Sequence, residues 1–432
     1  MQNTSFATQP VADAAPSTIV VTGATGFVGG ELLKRLIRRG ASVIGTTIIC
    51  PVRAGSADEA TTRGQKRLVD LVGEAEAARV KDRIEWIRGD LEEPRLGWDS
   101  TTWRRVATRT GEIYHCAASV SFDLPLEEAQ RINVDGTQHI YELAETAQVI
   151  HGQFRRFHHV STAYVSGVAT GPVDAHHLPD DRASNFRNTY ERTKARAERF
   201  LRERATSANP DAAPVSIYRP SIVGGDSVTG ETDNWNVLYV PLKMAARGML
   251  PAFPRGGRAL IDSIGVDYVV DGMLALGDHS TERLHAFHLV AGPGAFDLTE
   301  MFDTMYRLGS AHPDFTPSKT KLLGTGQWNT LTTGMRMAAR APKRCGNLRR
   351  TGVQAQRGLA GCAVYVPYTR VDAVFENFAE VEVLRSYGVN MPAPSDYLTT
   401  IIDYALAADF GKRTVATPQA EVLVEAREPV AA

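Results

Sequence analysis

Cysteine is scarce in this chain, and an excess of either charge is missing. Its 432 residues include four cysteines, Cys50, Cys116, Cys345 and Cys362, with no CxxC spacing. That argues against a zinc site or a disulfide framework and for reduced, buried thiols. A formal net charge of −1, with 22% charged and 43% hydrophobic residues, argues against a nucleic-acid-binding chain and describes a soluble globular one. No apolar run approaches the ~20 residues that a membrane helix needs. The first sixteen residues, MQNTSFATQPVADAAP, lack the positive start and apolar block of a secretory signal. A cytoplasmic protein with disordered residues 1–16 is therefore expected, and residues 414–432 read as a disordered tail. Internal repeats are absent too.

What is present is alternation. STIVVT (Ser17–Thr22) is a β-branched run entering a glycine-rich turn. A helix follows, its stripe formed by Phe27, Val28, Leu32, Leu33, Leu36 and Ile37 and its end marked by Arg38, Arg39 and Gly40. Further strands are expected at 41–52, 83–90, 112–118, 154–162, 215–220 and 285–290, with helical stretches between them. Such alternation predicts right-handed βαβ crossovers and an α/β, doubly wound parallel sheet of Rossmann type. Residues 17–300 are assigned to this nucleotide-binding domain, including part of a substrate pocket. Residues 301–413 are assigned to a smaller, mainly helical C-terminal substrate lobe.

The turn TGATGFVG places Gly23, Gly26 and Gly29 at GxxGxxG spacing between a strand and a helix. Glycine permits the tight turn, close backbone approach to a pyrophosphate and close helix–strand packing, with phosphate at the helix N-terminus. Gly23, Thr25, Gly26, Phe27, Val28 and Gly29 are thus candidate cofactor contacts. No carboxylate occurs between Glu31 and Asp58 to grip the adenosine ribose hydroxyls, whereas Arg53 stands after the second strand. Its fork suits the 2′-phosphate of NADP, so NADPH is the expected cofactor. Arg63 or Arg67 could reinforce that contact, although a solvated helix charge is the plainer reading of both. Asp90 and Leu91 are placed to border adenine, unless Asp90 simply caps the next segment.

Tyr190 and Lys194 stand four apart in NTYERTK and share a helix face. A free phenol has a pKa of ~10, too high for easy proton donation unless a nearby cation stabilises the phenolate. Lys194 is expected to supply that charge and to reach the nicotinamide ribose. Thr162, at the end of HHVSTAYV, would complete an oxyanion-binding pair with Tyr190, with Ser161 as the less favoured substitute. A third pattern is charge segregation: Phe315–Val371 contains no Asp or Glu but ten basic residues, Lys319, Lys321, Arg336, Arg340, Lys343, Arg344, Arg349, Arg350, Arg357 and Arg370. Such a segment suits an acidic carrier protein, coenzyme A phosphates or a peripheral anionic membrane, or is a solvated segment without a partner.

These residues resemble the extended short-chain dehydrogenase/reductase superfamily, and within it the fatty acyl-CoA reductase and thioester reductase branch with its male-sterility-type NAD-binding domain. The stretches VRAGSADEA, GDLEEPRLG, IYHCAASVSFD, NVDGT, VSTAYVSG, YRPSIVGGD and GVDYVVDGML carry the likeness over roughly residues 17 to 300, and PYTRVDAVFEN extends it weakly. The resemblance implies Thr162, Tyr190 and Lys194 as the catalytic set, Ala117 and Ala118 walling the cofactor, and Pro220, Ser221 and Ile222 facing the nicotinamide. It also implies NADPH-dependent reduction of an acyl-CoA or acyl carrier protein thioester to an aldehyde or alcohol, without nucleic-acid or metal partners. The competing readings are a dehydrogenase or epimerase of a sterol-like or sugar-like substrate and a non-catalytic cofactor-binding protein.

Overall fold

The computed structural model describes residues 18–39, 46–206, 208–209, 211–340 and 363–415. The expected disordered start at 1–16, the first part of the second strand, Cys345, Cys362 and all of the tail except 414 and 415 lie outside these residues. So do Lys343, Arg344, Arg349, Arg350 and Arg357 of the basic segment.

Seven strands form the main sheet: β1 (Thr18–Thr22), β2 (Thr47–Val52), β3 (Ile84–Arg88), β4 (Thr110–His115), β5 (Arg156–Val160), β6 (Val215–Pro220) and β7 (Leu284–Leu289). Their order across the sheet is β7-β6-β5-β4-β1-β2-β3, and every neighbouring pair is parallel. Parallel strands must be covered on both faces, which is why runs such as TIVVT and TIICPV are apolar on both sides of the pleat. Helices α1 (Phe27–Arg39) and α2 (Ala57–Val72) cover one face with Leu32, Leu33, Leu36 and Leu68. On the other, α3 (Gly136–His151) and α4 (Thr189–Thr206) contribute Ile140, Leu143 and Leu201.

The strand order reverses between β1 and β4, and that switch point is where open α/β sheets bind ligands. Several strands end earlier than their apolar runs suggest. β4 stops at His115 and β5 at Val160, so Cys116–Ala118 and Ser161–Thr162 are exit loops at the carboxyl edge. The backbone leaves the sheet there because the turn at Gly23 crosses directly beside Ala117.

A second core gathers Leu242, Phe253, Phe302, Met305, Leu398 and Ile402. It draws on the helices Tyr239–Ala246, Leu298–Ala311 and Pro394–Ala407, so segments on both sides of residue 300 build it. Asp297 caps the second of these by accepting hydrogen bonds from the backbone of Thr299 and Glu300. A short parallel pair, Gly171–Val173 with Ala373–Phe375, brings the late chain back to the sheet edge. Among the described residues, no helix is long and apolar enough to cross a membrane.

α4 is pinned to the sheet by a buried ion pair. Arg219 of β6 donates to Glu198 of α4 at 2.6 Å, and both side chains are fully buried. Ser161 also donates to Glu198, at 2.5 Å. Burial works against ionisation of Glu198, but Arg219, Arg202 and Ser161 together outweigh it and hold the carboxyl below its usual range. Glu198→Ala, which strands Arg219 without its counter-ion, is expected to destabilise the protein by about 3–5 kcal/mol. The shift in the urea unfolding midpoint at unchanged slope measures this, and a loss below ~1 kcal/mol would mean that solvent reaches Arg219.

Candidate active site

The carboxyl edge of the sheet opens into a cavity of about 700 Å³ that runs from the glycine turn to the second core. Gly23, Thr25, Gly26, Phe27, Val28 and Gly29 line its floor. Their packing fits a pyrophosphate cradle. A Cβ on Gly23 would lie 2.7 Å from the Ala117 nitrogen, and one on Gly29 would lie 2.3 Å from the Gly23 carbonyl oxygen. Nothing larger than glycine lets these backbones touch, and the N-terminus of α1 points its free amides at the same space. Below the turn, Thr22 Oγ1 meets His115 Nδ1 at 2.8 Å and receives the Ala117 amide at 3.3 Å. His115 Nε2 lies 3.1 Å from Thr137 Oγ1, so the turn rests on a buried polar strut.

Arg53, Arg63, Asp90 and Leu91 line the end of the cavity beyond the turn. Arg53 is 72% exposed and only 3.6 Å from Glu92, a loose pair that leaves its fork accessible. Arg63 donates to the Arg53 carbonyl. Asp90 both faces the cavity and caps the next segment, accepting the Glu92 amide at 3.0 Å. Arg67 braces the turn instead: it donates to the Gly26 carbonyl at 3.0 Å and pairs with the distant Asp233 at 2.7 Å.

Ala117, Ala118, Pro220, Ser221 and Ile222 line the middle of the cavity together with Thr162, Tyr190 and Lys194. The Thr162 hydroxyl lies near the Tyr190 phenol and donates to the Pro220 carbonyl at 3.3 Å. Ser161 is committed to Glu198 and is not the equivalent partner. Lys194 differs from the sequence expectation. Its ammonium donates to the Val160 carbonyl at 2.6 Å and to His159 Nε2 at 3.3 Å, rather than to the phenol. One turn beyond Tyr190, it meets the strand end first. The Tyr190 phenol is accordingly not acidified; burial pushes it up to about 12, against the pull of the neighbouring Thr162 hydroxyl. Burial lowers Lys194 to about 8, against Glu198 and Cys116, which raise it, so it is a cation at neutral pH.

Three features escape any sequence motif. Asn133 bonds both backbone groups of Ser119 and also Thr193, tying the β4 exit to α4. Phe122 stacks near Tyr190 at 5.8 Å and near Tyr368 at 5.2 Å, so a residue from the late chain walls the phenol. Tyr368 in turn accepts from Asn188 at 2.7 Å. Asn133, Phe122 and Tyr368 fall in the stretches NVDGT, IYHCAASVSFD and PYTRVDAVFEN that carry the family likeness, but nothing local shows that they meet. Of the two described cysteines, Cys50 is buried and Cys116 lines the cavity, its thiol pushed up to about 12 by burial. No cluster of three or more potential ligands is placed to hold a metal among the described residues.

A cavity astride the switch point, with a YxxxK helix forming its wall, places the chain in the extended short-chain dehydrogenase/reductase class of α/β proteins. More narrowly, the chain belongs to the male sterility protein family of NAD-binding domains, whose model matches residues 21–273. It is 29% identical over 295 residues to mouse fatty acyl-CoA reductase 1, covering 61% of this chain and 54% of that protein. It is also 29% identical over 304 residues to a carboxylic acid reductase of Mycobacterium tuberculosis, covering 65% of this chain and 25% of that one. The chain thus spans about half the length of the curated acyl-CoA reductases it matches, and a quarter of the carboxylic acid reductase. The solved terminal R domain of the myxalamid PKS-NRPS pathway superposes with a TM-score of 0.71 at 26% identity, covering 94% of each chain.

Gly29→Ala tests the cradle. Its Cβ must displace the Gly23 carbonyl, a shift expected to lower stability by about 1–3 kcal/mol and to weaken dinucleotide binding at least about tenfold. Thermal melts and a fluorescence titration with NADPH report the two effects, and an unchanged affinity would detach the turn from cofactor binding.

Proposed function

We propose that the protein is an NADPH-dependent reductase of acyl thioesters, acting on acyl-CoA or carrier-bound acyl groups. The observation that carries this reading is that Thr162 and Tyr190 line the same cavity as an apolar chamber of Leu238, Pro241, Phe253, Ile261, Leu298 and Met301. An acyl chain fits that chamber, while its carbonyl oxygen lies between the two hydroxyls. The relatives named as acyl-CoA and carboxylic acid reductases support the same chemistry.

The glycine turn would hold the dinucleotide, which would supply a hydride for the carbonyl carbon. Tyr190 donates to the developing oxyanion, and Thr162 joins it by turning its hydroxyl proton from the Pro220 carbonyl. Tyr190 passes its proton to that oxygen to give a hemithioacetal. Collapse then breaks the carbon–sulfur bond and releases an aldehyde and a free thiol. A phenol with its pKa raised to about 12 stays protonated between turnovers. It is a weak acid, so proton transfer depends on Lys194, whose charge offsets the phenolate that remains. Phe122 and Tyr368 line the cavity on the Tyr190 side and offer the acyl group an apolar wall.

Cofactor choice is assigned to Arg53. With its weak Glu92 pair and no acidic residue at the end of β2, it is free to take the 2′-phosphate. For the carrier, the described basic residues Lys319, Lys321, Arg336, Arg340 and Arg370 suit the phosphates of coenzyme A or the acidic face of a carrier protein. Soluble substrates of this kind are consistent with a cytoplasmic site of action.

Tyr190→Phe should keep NADPH affinity within about twofold and lose about 10²–10⁴-fold in turnover, because only the proton donor goes. The assay follows NADPH, free thiol and carbonyl product across a panel of acyl-CoA and acyl-carrier thioesters. Turnover of ketones with thioesters left untouched would reject the reaction class. Arg53→Ala should weaken NADPH about tenfold while leaving NADH nearly unchanged, the loss of one charge-assisted contact. Equal effects on both would move phosphate recognition to another residue.

A further inference from the structure

Below the nicotinamide end of the cavity, β5 turns His159 toward α4. The imidazole is fully buried, and its Nε2 lies 3.3 Å from the ammonium of Lys194, itself only 1% exposed. An ammonium has donors and no acceptor, so the ring nitrogen facing it must accept, and the ring proton must sit on Nδ1. Nδ1 is buried without a hydrogen-bond partner. An imidazole that leaves a buried N–H unsatisfied is a poor choice for stability alone, since an apolar side chain of similar size would carry no such penalty. What the ring does provide is an acceptor aimed at Lys194.

We infer that His159 is a positioning residue: its Nε2, with the Val160 carbonyl, fixes the Lys194 ammonium beneath the cofactor and keeps it charged. The two acceptors use two of the three ammonium donors, and the third is left for the nicotinamide ribose. This inference rests on the reading that Lys194 meets the cofactor and assists Tyr190. The groups facing Lys194 are His159 and Val160 of β5, Cys116 at the β4 exit and Glu198 one turn along α4. Facing His159 are Lys194 and His115, whose ring lies 5.4 Å away and is occupied by Thr22 and Thr137. Burial, then Lys194, then His115 drive the protonation of His159 well below its ordinary value, so it remains a neutral acceptor through the working range. Lys194, at about 8, sits close to losing its proton. Removing a neutral acceptor from a buried cation lowers its pKa further.

The first measurement needs no activity. In the full chain with isotope-labelled histidine, the His159 nitrogen signals, identified by their loss in His159→Gln, are expected to report the Nδ1–H tautomer. The second is the affinity for NADPH across neutral to alkaline pH. In the wild-type chain it should fall as Lys194 loses its proton near pH 8. His159→Leu should move that fall about one pH unit lower, and His159→Gln, whose amide oxygen can accept, should restore it. A merely structural histidine would weaken binding without moving the transition. An Nε2–H tautomer, an unmoved transition in His159→Leu, no rescue by a folded His159→Gln, or no transition in the wild-type chain overturns the inference. If no thioester is reduced while the transition moves as described, the reaction assignment falls and the positioning role of His159 stands.

Discussion

The contact on which the site depends is between two stretches of backbone. Where β1 and β4 part, the turn at Gly23 lies so close to Ala117 that a single Cβ would overlap it, and Gly29 packs on the Gly23 carbonyl in the same way. This approach lets α1 begin immediately beside the sheet edge, which sets the direction of its free amides and the depth of the cavity floor. It also explains why β4 ends at His115. Cys116 still donates to the Thr22 carbonyl, but the Ala117 amide turns to the Thr22 side chain where the turn crosses, and residues 116–118 become cavity wall.

The second organising element is one stripe of α4. Tyr190, Lys194 and Glu198 recur every four residues, and each meets a different part of the β5 exit: Thr162, then Val160 with His159, then Ser161. A proton donor, a cation and an anchoring anion are therefore held in register by the same helix–strand seam. Glu198 does more than anchor. Its charge raises the pKa of Lys194 against the burial that lowers it, so the Arg219–Glu198 pair influences the charge state of the site from one helical turn away. Asn133 serves the same seam from the other side, fixing the β4 exit to Thr193.

Local patterns reveal much of this and long-range contacts much less. The glycine turn, the YxxxK pair and the strand ending in Thr162 are visible because each is set by short-range geometry: a turn, a helical spacing, a strand terminus. All the residues they single out line one cavity. The orientation of Lys194 was not legible, because helical spacing places two side chains on one face but does not say which neighbour claims the ammonium. His159 gave no signal for a related reason. Strand alternation assigns it a face, and only the packing of α4 makes that face polar. Arg67 reads as an ordinary surface charge until Asp233, far along the chain, arrives beside it. The wall of Phe122 and Tyr368 likewise needs the pairing of Gly171–Val173 with Ala373–Phe375 before it exists.

That wall sets the electrostatic problem that the remaining residues address. Packing Phe122 on Tyr190 leaves the phenol half-buried and makes a phenolate costly, as the rise to about 12 reflects. Placing the ammonium directly on the phenol would lower that value in the resting protein and leave a donor prone to losing its proton early. Holding Lys194 on Val160 and His159 separates the two demands. The phenol stays protonated until an oxygen that needs its proton is present, and the cation stands one helical turn away to offset the charge left behind. The raised phenol and the withheld lysine thus meet on one helix–strand seam, whose partners come together only in the folded protein.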